Sequence, residues 1–287
     1  MDDFFKTLHF PYEQVRSGQD EFIRRVYRAI EEKRNILISA PTGSGKTISA
    51  LAPALHLGKK LNKTVICLTS RQTQANQVIK TIHDLAKKSQ EKINYTAFIG
   101  KRNMCSHEER DLYPATDFLE FCRKTREGGK CSYYKNVRNG DYEEHMKGVI
   151  NKATESFIDV EGFVKLASRA TPEEGVRGYC PYELAARKAY KTDVVICDYN
   201  YLFGPGMMET FLGKIGRELH ECIVVVDEAH NLPDRIRSSF TYTLSTDLTK
   251  LAARELHEIF KQEAKVLQQR QTQAFLILFE QERNIYK

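Results

Sequence analysis

Apolar and polar positions fall into alternating blocks along most of the chain. Arg34–Ala40 reads RNILISA, a short β-branched run that predicts a strand, and it passes through Pro-Thr-Gly-Ser-Gly-Lys-Thr into ISALAPALHLGKK, whose spacing predicts a helix. TVICLT (Thr64–Thr69) predicts a second, fully apolar strand, the polar stretch from Arg71 to Lys88 a helix, and INYTAFIG (Ile93–Gly100) a third strand. The pattern resumes with DVVICDY (Asp193–Tyr199) and ends in CIVVVDEAH (Cys222–His230), whose Ile223–Val226 has the composition of a central buried strand. Strands alternating with helices predict an α/β fold, a parallel sheet covered on both faces.

Between Lys101 and Pro181 the alternation stops. This interval is rich in charge, Gly and Tyr, holds four of the seven cysteines and has no run of buried-strand type, so it predicts an insertion into the α/β domain. Past Pro233 the composition changes again. From Ser245 a capping-type Ser-Thr-Asp leads into Leu248, Leu251, Leu256, Ile259 and Phe260 with helical spacing, a pattern that runs on towards Lys287. No repeat of solenoid period and no low-complexity tract interrupts it.

The 287 residues suffice for one large domain or two ordinary ones with a core that needs no disulfides. No apolar run reaches the roughly 18 residues of a membrane-spanning helix, so no membrane partner is expected. The start, MDDFFKTLHF, has neither the basic nor the apolar segment of a secretion signal, which predicts a cytoplasmic address. A net charge of +6 permits a nucleic-acid partner without identifying one. An odd number of cysteines, seven, in a reducing compartment reads as thiols or metal ligands rather than a disulfide framework.

The strongest chemistry is in Ala40–Thr47, APTGSGKT, which matches the Walker A pattern and stands between a predicted strand and a predicted helix, the context that pattern requires. Thr42, Gly43, Ser44 and Gly45 form a turn whose backbone N–H groups point at phosphate oxygens. The helix beginning near Lys46 adds its positive end, Lys46 reaches the outer phosphates, and the Thr47 hydroxyl ligates magnesium. Asp227 and Glu228 follow the apolar run IVVV directly, which places both at the carboxyl edge of the same sheet. There Asp227 would hold Mg2+ through water and Glu228 would polarise the attacking water for in-line hydrolysis of the outer phosphate. His230 completes Asp-Glu-Ala-His; by its chemistry alone it is a surface residue at a helix start.

Cys105, Cys122, Cys131 and Cys180 are separated by 16, 8 and 48 residues, without the close pairs of zinc sites. Soft thiolates spread in this way suit a metal cluster better, with zinc and iron both open at this point. Cys67, Cys197 and Cys222 lie in or beside apolar strands and read as core thiols. Between Arg123 and Arg138 six basic residues, among them Arg123 and Lys124, stand against the single acid Glu127, with Phe121, Tyr133 and Tyr134 interleaved. Cations follow phosphates and rings stack on unpaired bases, so the stretch suits single-stranded DNA, against the alternative of a solvated loop with tyrosines packed beneath.

Several of these stretches together resemble superfamily 2 helicases of the iron-sulfur XPD/DinG type. FPYEQVRSGQ (Phe10–Gln19) is similar to the segment before Walker A that recognises adenine. LTSRQTQ (Leu68–Gln74) is similar to that family's Ser-Arg-Thr-His element, with Gln72 and Thr73 in place of Thr-His. GKRNMC (Gly100–Cys105) resembles the entry to the cluster domain, CPYELAARKA (Cys180–Ala189) nearly reproduces CPYELARKA, and DVVICDYNYLF and VVVDEAHNL match the blocks that follow.

The resemblance implies a RecA-like domain 1 in two parts, 1–100 and 182–236, interrupted by a cluster insertion at 101–181 and followed at 237–287 by the beginning of a helical arch domain. It implies a monomeric, ATP- and Mg2+-dependent motor moving 5′ to 3′ on single-stranded DNA and acting at DNA junctions, in repair or replication-linked unwinding. It assigns adenine recognition to Gln19, a [4Fe-4S] cluster to the four cysteines, and backbone contacts with DNA to Arg71, with Asn200 and Tyr201 as further candidates. It gives His230 its place in the Asp-Glu-Ala-His element. The 48-residue interval is long for the family, which predicts extra helices between Ser132 and Tyr179. The glutamine and arginine motif of a second RecA-like domain is not in the 287 residues, so that domain is expected from the same gene or a second chain. Two other readings compete: a regulatory subunit that binds DNA and nucleotide, and an unrelated P-loop ATPase with a zinc domain.

Overall fold

The computed structural model describes residues 3–241 and 246–268. Two compact units divide the chain between Phe240 and Thr241. Ser245, the expected helix cap, and residues 269–287 lie outside the described residues. In the second unit, helix α13 (Thr246–Gln268) carries the expected apolar spacing, and Leu251, Leu256 and Ile259 are each about half exposed.

Four parallel strands organise the first unit: β1 (Thr64–Thr69), β2 (Tyr95–Phe98), β3 (Val194–Asp198) and β4 (Cys222–Val226), in the order β2-β3-β1-β4. Val65 pairs with Val194 on one side of β1 and with Ile223 on the other. Alternate residues of each strand face opposite layers, as a period of two requires. Val65, Cys67, Tyr95, Ala97, Val194 and Ile196 pack against helices α2 (Gln19–Glu31), α3 (Lys46–Lys60) and α4 (Gln72–Ser89). Ile66, Leu68, Phe98, Val195 and Cys197 pack on the other face.

That other face is covered largely by the interval expected to be an insertion. Among the described residues of 101–180 there is no strand; the chain forms α5 (Ala115–Glu127), α6 (Ser132–Arg138), α7 (Glu143–Glu155) and α8 (Val160–Arg169). Val137, Met146, Val149, Phe163 and Ala167 from this interval share one core with the sheet. Helix α9 (Pro181–Ala189) starts with Pro at its first position, where a missing N–H costs nothing, and packs against β2.

Two expectations are corrected. Arg34–Ala40 is not a strand: it runs irregularly, with Ile36 and Leu37 exposed to 44% and 88%. Ile223–Val226 forms a strand, but at the edge of the sheet rather than its centre, and all of β4 is only half-buried. Among the described residues nothing pairs with the outer edge of β4.

Candidate functional site

The carboxyl ends of β1, β3 and β4 open on one edge of the sheet, as parallel strands dictate, and the glycine loop lies beside them. Gly43 and Gly45 have φ of +78° and +83°, a left-handed conformation natural only to glycine, and Gly45 caps α3. Gln19 fits against this turn so closely that a Cβ on Gly45 would lie 2.5 Å from its Nε2. The backbone N–H of Arg16 donates to Gln19 Oε1 at 3.1 Å, and the Arg16 guanidinium donates to the Gly43 carbonyl. The segment expected to recognise adenine is thus tied to the phosphate loop by its own side chains.

Lys46 donates to the Ala40 carbonyl at 3.3 Å and stands 3.8 Å from Glu228 Oε1, so the loop cation and the strand-end acid meet although 182 positions separate them. Thr47 is half-buried in the first turn of α3. The Asp227 N–H donates to the Leu68 carbonyl at 3.0 Å, extending the ladder by one bond and fixing where its carboxyl emerges. Burial raises the Asp227 carboxyl above the ordinary carboxylate range, the Glu228 charge raises it further, and Lys46 acts in the opposite direction. A second cation near this acid would favour its charged form. His230 approaches Glu228 Oε2 at 3.3 Å through Nδ1 while remaining exposed. Sequence reading missed Tyr199, whose hydroxyl reaches the carbonyls of Asp227 and Glu228. The one signal was an aromatic residue directly after a buried strand.

Cys105, Cys122, Cys131 and Cys180 line a single cavity, together with Lys101 and Arg126. Burial pushes the thiol of Cys105 up to about 11 and that of Cys180 to about 12, and raises Cys131 as well. Among the described residues no three His, Cys, Asp or Glu side chains are grouped closely enough to hold a single metal ion. Cys67 and Cys197 are buried in β1 and β3, as expected of core thiols, and Cys222 is half-buried at the start of β4.

The residues expected to meet DNA separate into groups. Arg71 is exposed beside the end of β1, with no ion-pair partner among the described residues, and its N–H donates to Gln74 Oε1 at 3.1 Å. Asn200 is exposed at the end of β3, where its Oδ1 accepts from the Ser239 hydroxyl at 3.1 Å. Tyr201 is corrected: only 6% exposed, its ring lies 4.5 Å from that of Phe211 and 5.9 Å from Phe98, so it packs the core and offers no face to a base. Arg123 bonds Glu120 at 2.6 Å and Glu127 at 2.9 Å, and Lys124 lies 3.4 Å from Glu120, an acid one turn before the stretch that was counted. Tyr134 is flanked by Arg126 and Arg138 at 5.1 and 5.5 Å, and Tyr133 by Arg177 at 5.6 Å. Both tyrosines also line the cysteine cavity.

Residues 68–249, well over half of the chain, match the DEAD_2 family, and residues 16–119 match the DEAD/DEAH box helicase family. The helicase subunit XPD of general transcription and DNA repair factor IIH from Arabidopsis thaliana is 28% identical over 88% of this chain and 34% of its own length. A probable ATP-dependent helicase of Methanocaldococcus jannaschii is 25% identical over 83% of this chain and 32% of its own length. A solved XPD helicase structure superposes with a TM-score of 0.53 at 22% identity, covering 79% of this chain and 34% of that one. That match supports the RecA-like fold. The chain therefore spans about a third of the length of these relatives. It belongs to the DEAD_2 family, that of the XPD-type superfamily 2 helicases.

Proposed function

We propose that this chain is the nucleotide-binding part of an ATP-driven DNA helicase that moves 5′ to 3′ along single-stranded DNA and unwinds junctions during repair. The observation that carries the reading is the meeting of Lys46 with Glu228 at the carboxyl edge of the sheet, beside the left-handed glycine turn. ATP would lie with its phosphates on the N–H groups of residues 42–47 and its adenine towards Gln19. Thr47 and Asp227 would hold Mg2+, and their oxygens are of the hard type this ion prefers. Bound there, the ion supplies the charge that eases cleavage of the outer phosphate. Lys46 neutralises the phosphate oxygens, Glu228 orients the attacking water and accepts its proton, and His230 steadies Glu228.

The four cysteines would hold a [4Fe-4S] cluster. Their shared cavity supports this. Ligation takes the thiolate form, which the charge of a metal favours and to which Lys101 and Arg126 at the same cavity add. When bound, the cluster supplies a rigid cross-link between the chain segments that carry its ligands.

Domain 1 then comprises 1–100 and 182–236, the cluster insertion 101–181, and the start of the arch 237–287. A second RecA-like domain from the same gene or another chain would complete a monomeric motor. Arg71 and Asn200 are the contacts we assign to the DNA backbone, with Tyr133 and Tyr134 as further candidates. ATP turnover by the chain, with and without single-stranded DNA, tests this reading. We expect slow turnover, since a missing arginine finger costs about 10³ or more. DNA should raise it and Lys46→Ala abolish it. Turnover unaffected by Lys46→Ala overturns the reading.

A further inference from the structure

At the end of β3 the ring of Tyr199 is 1% exposed, yet its hydroxyl reaches two strands away. β1 lies between β3 and β4, and strands are spaced about 4.8 Å apart, so the ring crosses the end of β1 to arrive at the turn that follows β4. There the hydroxyl donates to the Asp227 carbonyl and stands 3.1 Å from the Glu228 carbonyl. Asn231 donates to the same Glu228 carbonyl twice, from its backbone N–H at 3.0 Å and from Nδ2 at 3.3 Å.

Glu228 needs this support. Its φ is +49°, a left-handed conformation that costs a side-chain-bearing residue about 1–2 kcal/mol. Such a conformation persists only where the surroundings over-determine it. Here the two carbonyls are drawn to the Tyr199 side of the turn. The Glu228 carboxylate is thereby free to face Lys46, and the Asp227 Oδ1 accepts from the Glu228 N–H at 3.1 Å. An extended or helical residue 228 would aim its side chain elsewhere.

We propose that Tyr199 is a positioning residue: with Asn231 as a second clamp, its hydroxyl holds the Asp227–Glu228 turn in the conformation that presents Asp227 to a nucleotide-bound magnesium ion and Glu228 to the attacking water. This rests on the nucleotide site proposed above. It also assigns a task to the turn between β3 and Asn200, because Tyr199, the first residue after β3, fixes the acids that follow β4.

The test is calorimetric titration of ATP onto the 287-residue chain, once with Mg2+ and once with EDTA. In the wild type, Mg2+ should tighten binding. Tyr199→Phe keeps the ring and removes only the hydroxyl; affinity in EDTA should stay unchanged while the tightening by Mg2+ falls roughly five- to tenfold, the worth of one net hydrogen bond. Asn231→Ala should lose a smaller part of the same increment, about two- to threefold, and serves if Tyr199→Phe does not fold. Equal losses with and without Mg2+ mean that Tyr199 serves the fold in general and overturn the proposal, as does an unchanged increment in Tyr199→Phe or, where only Asn231→Ala folds, in that variant. A wild-type chain that binds no ATP, or binds it without regard to Mg2+, overturns the nucleotide-site reading and this proposal together.

Discussion

Replacing Lys188 with Met should stabilise the protein, and by an amount that depends on pH. Lys188 sits on α9 with 5% exposure, and no acid lies within ion-pair distance among the described residues. Its ammonium has instead the rings of Tyr95 at 4.8 Å and Phe163 at 5.6 Å. Burial depresses its pKa from 10.5 to about 8, with the charge of Lys92 acting the same way. Between these values the unfolded chain binds more protons than the folded one, so stability rises with pH from about 8 towards 10.5 and is flat below 8. Each pH unit of the gap corresponds to about 1.4 kcal/mol, which makes the buried charge cost about 3 kcal/mol at pH 7. The two rings return about 1 kcal/mol of that. Met fills a similar volume without the charge, so Lys188→Met should gain about 2 kcal/mol at pH 7 and much less at pH 10. Urea unfolding followed by far-ultraviolet circular dichroism, wild type and variant at both pH values, measures the difference. A variant less stable at pH 7, or a difference that does not change with pH, refutes the reasoning.

Other substitutions probe other layers of the structure. Lys214 bonds the buried Glu183 at 2.7 and 2.8 Å, so Lys214→Met strands a carboxylate and should cost about 3 kcal/mol in urea unfolding, while adding Glu183→Gln should recover most of it. A Cβ on Gly178 would lie 2.3 Å from the Ser168 carbonyl and 2.6 Å from that of Ala167, both backbone; Gly178→Ala should lower the melting temperature by several degrees, and an unchanged one would show that the α8 end yields freely. If the four cysteines hold a cluster, anaerobically purified protein should contain about four irons per chain and absorb in the visible, by the stoichiometry of a four-cysteine cluster. Cys131→Ser should lose both signals, and an iron-free but folded wild type argues against the cluster.

Local sequence carried the elements whose environment is also local. TVICLT became β1 residue for residue, because an apolar, β-branched run flanked by polar turns has few alternatives in a sheet covered on both faces. RNILISA, also apolar and β-branched at its centre but begun by Arg and Asn, did not become a strand. Between Ser132 and Tyr179 the chain forms α6, α7 and α8, but nothing in their spacing foretold that they would cover the sheet itself. Lys46 and Glu228 were legible as a pair because the strand-end rule places both on one edge. Tyr201 was misread because chain adjacency to Asn200 says nothing of direction: one side chain points to solvent and the next into the core. The Arg123 and Lys124 charges were read without Glu120, three and four residues earlier, which a helix brings beside them. Tyr199 escaped because its contacts lie 28 and 29 positions away.

The proposed function stands on ATP binding at the glycine turn against Lys46. Equilibrium binding of MgATP to the wild-type chain and to Lys46→Ala measures it most directly. Saturable binding at one site per chain, weakened at least tenfold in the variant, is the expected result. Equal affinity in the two proteins, or no binding by the wild type, contradicts it.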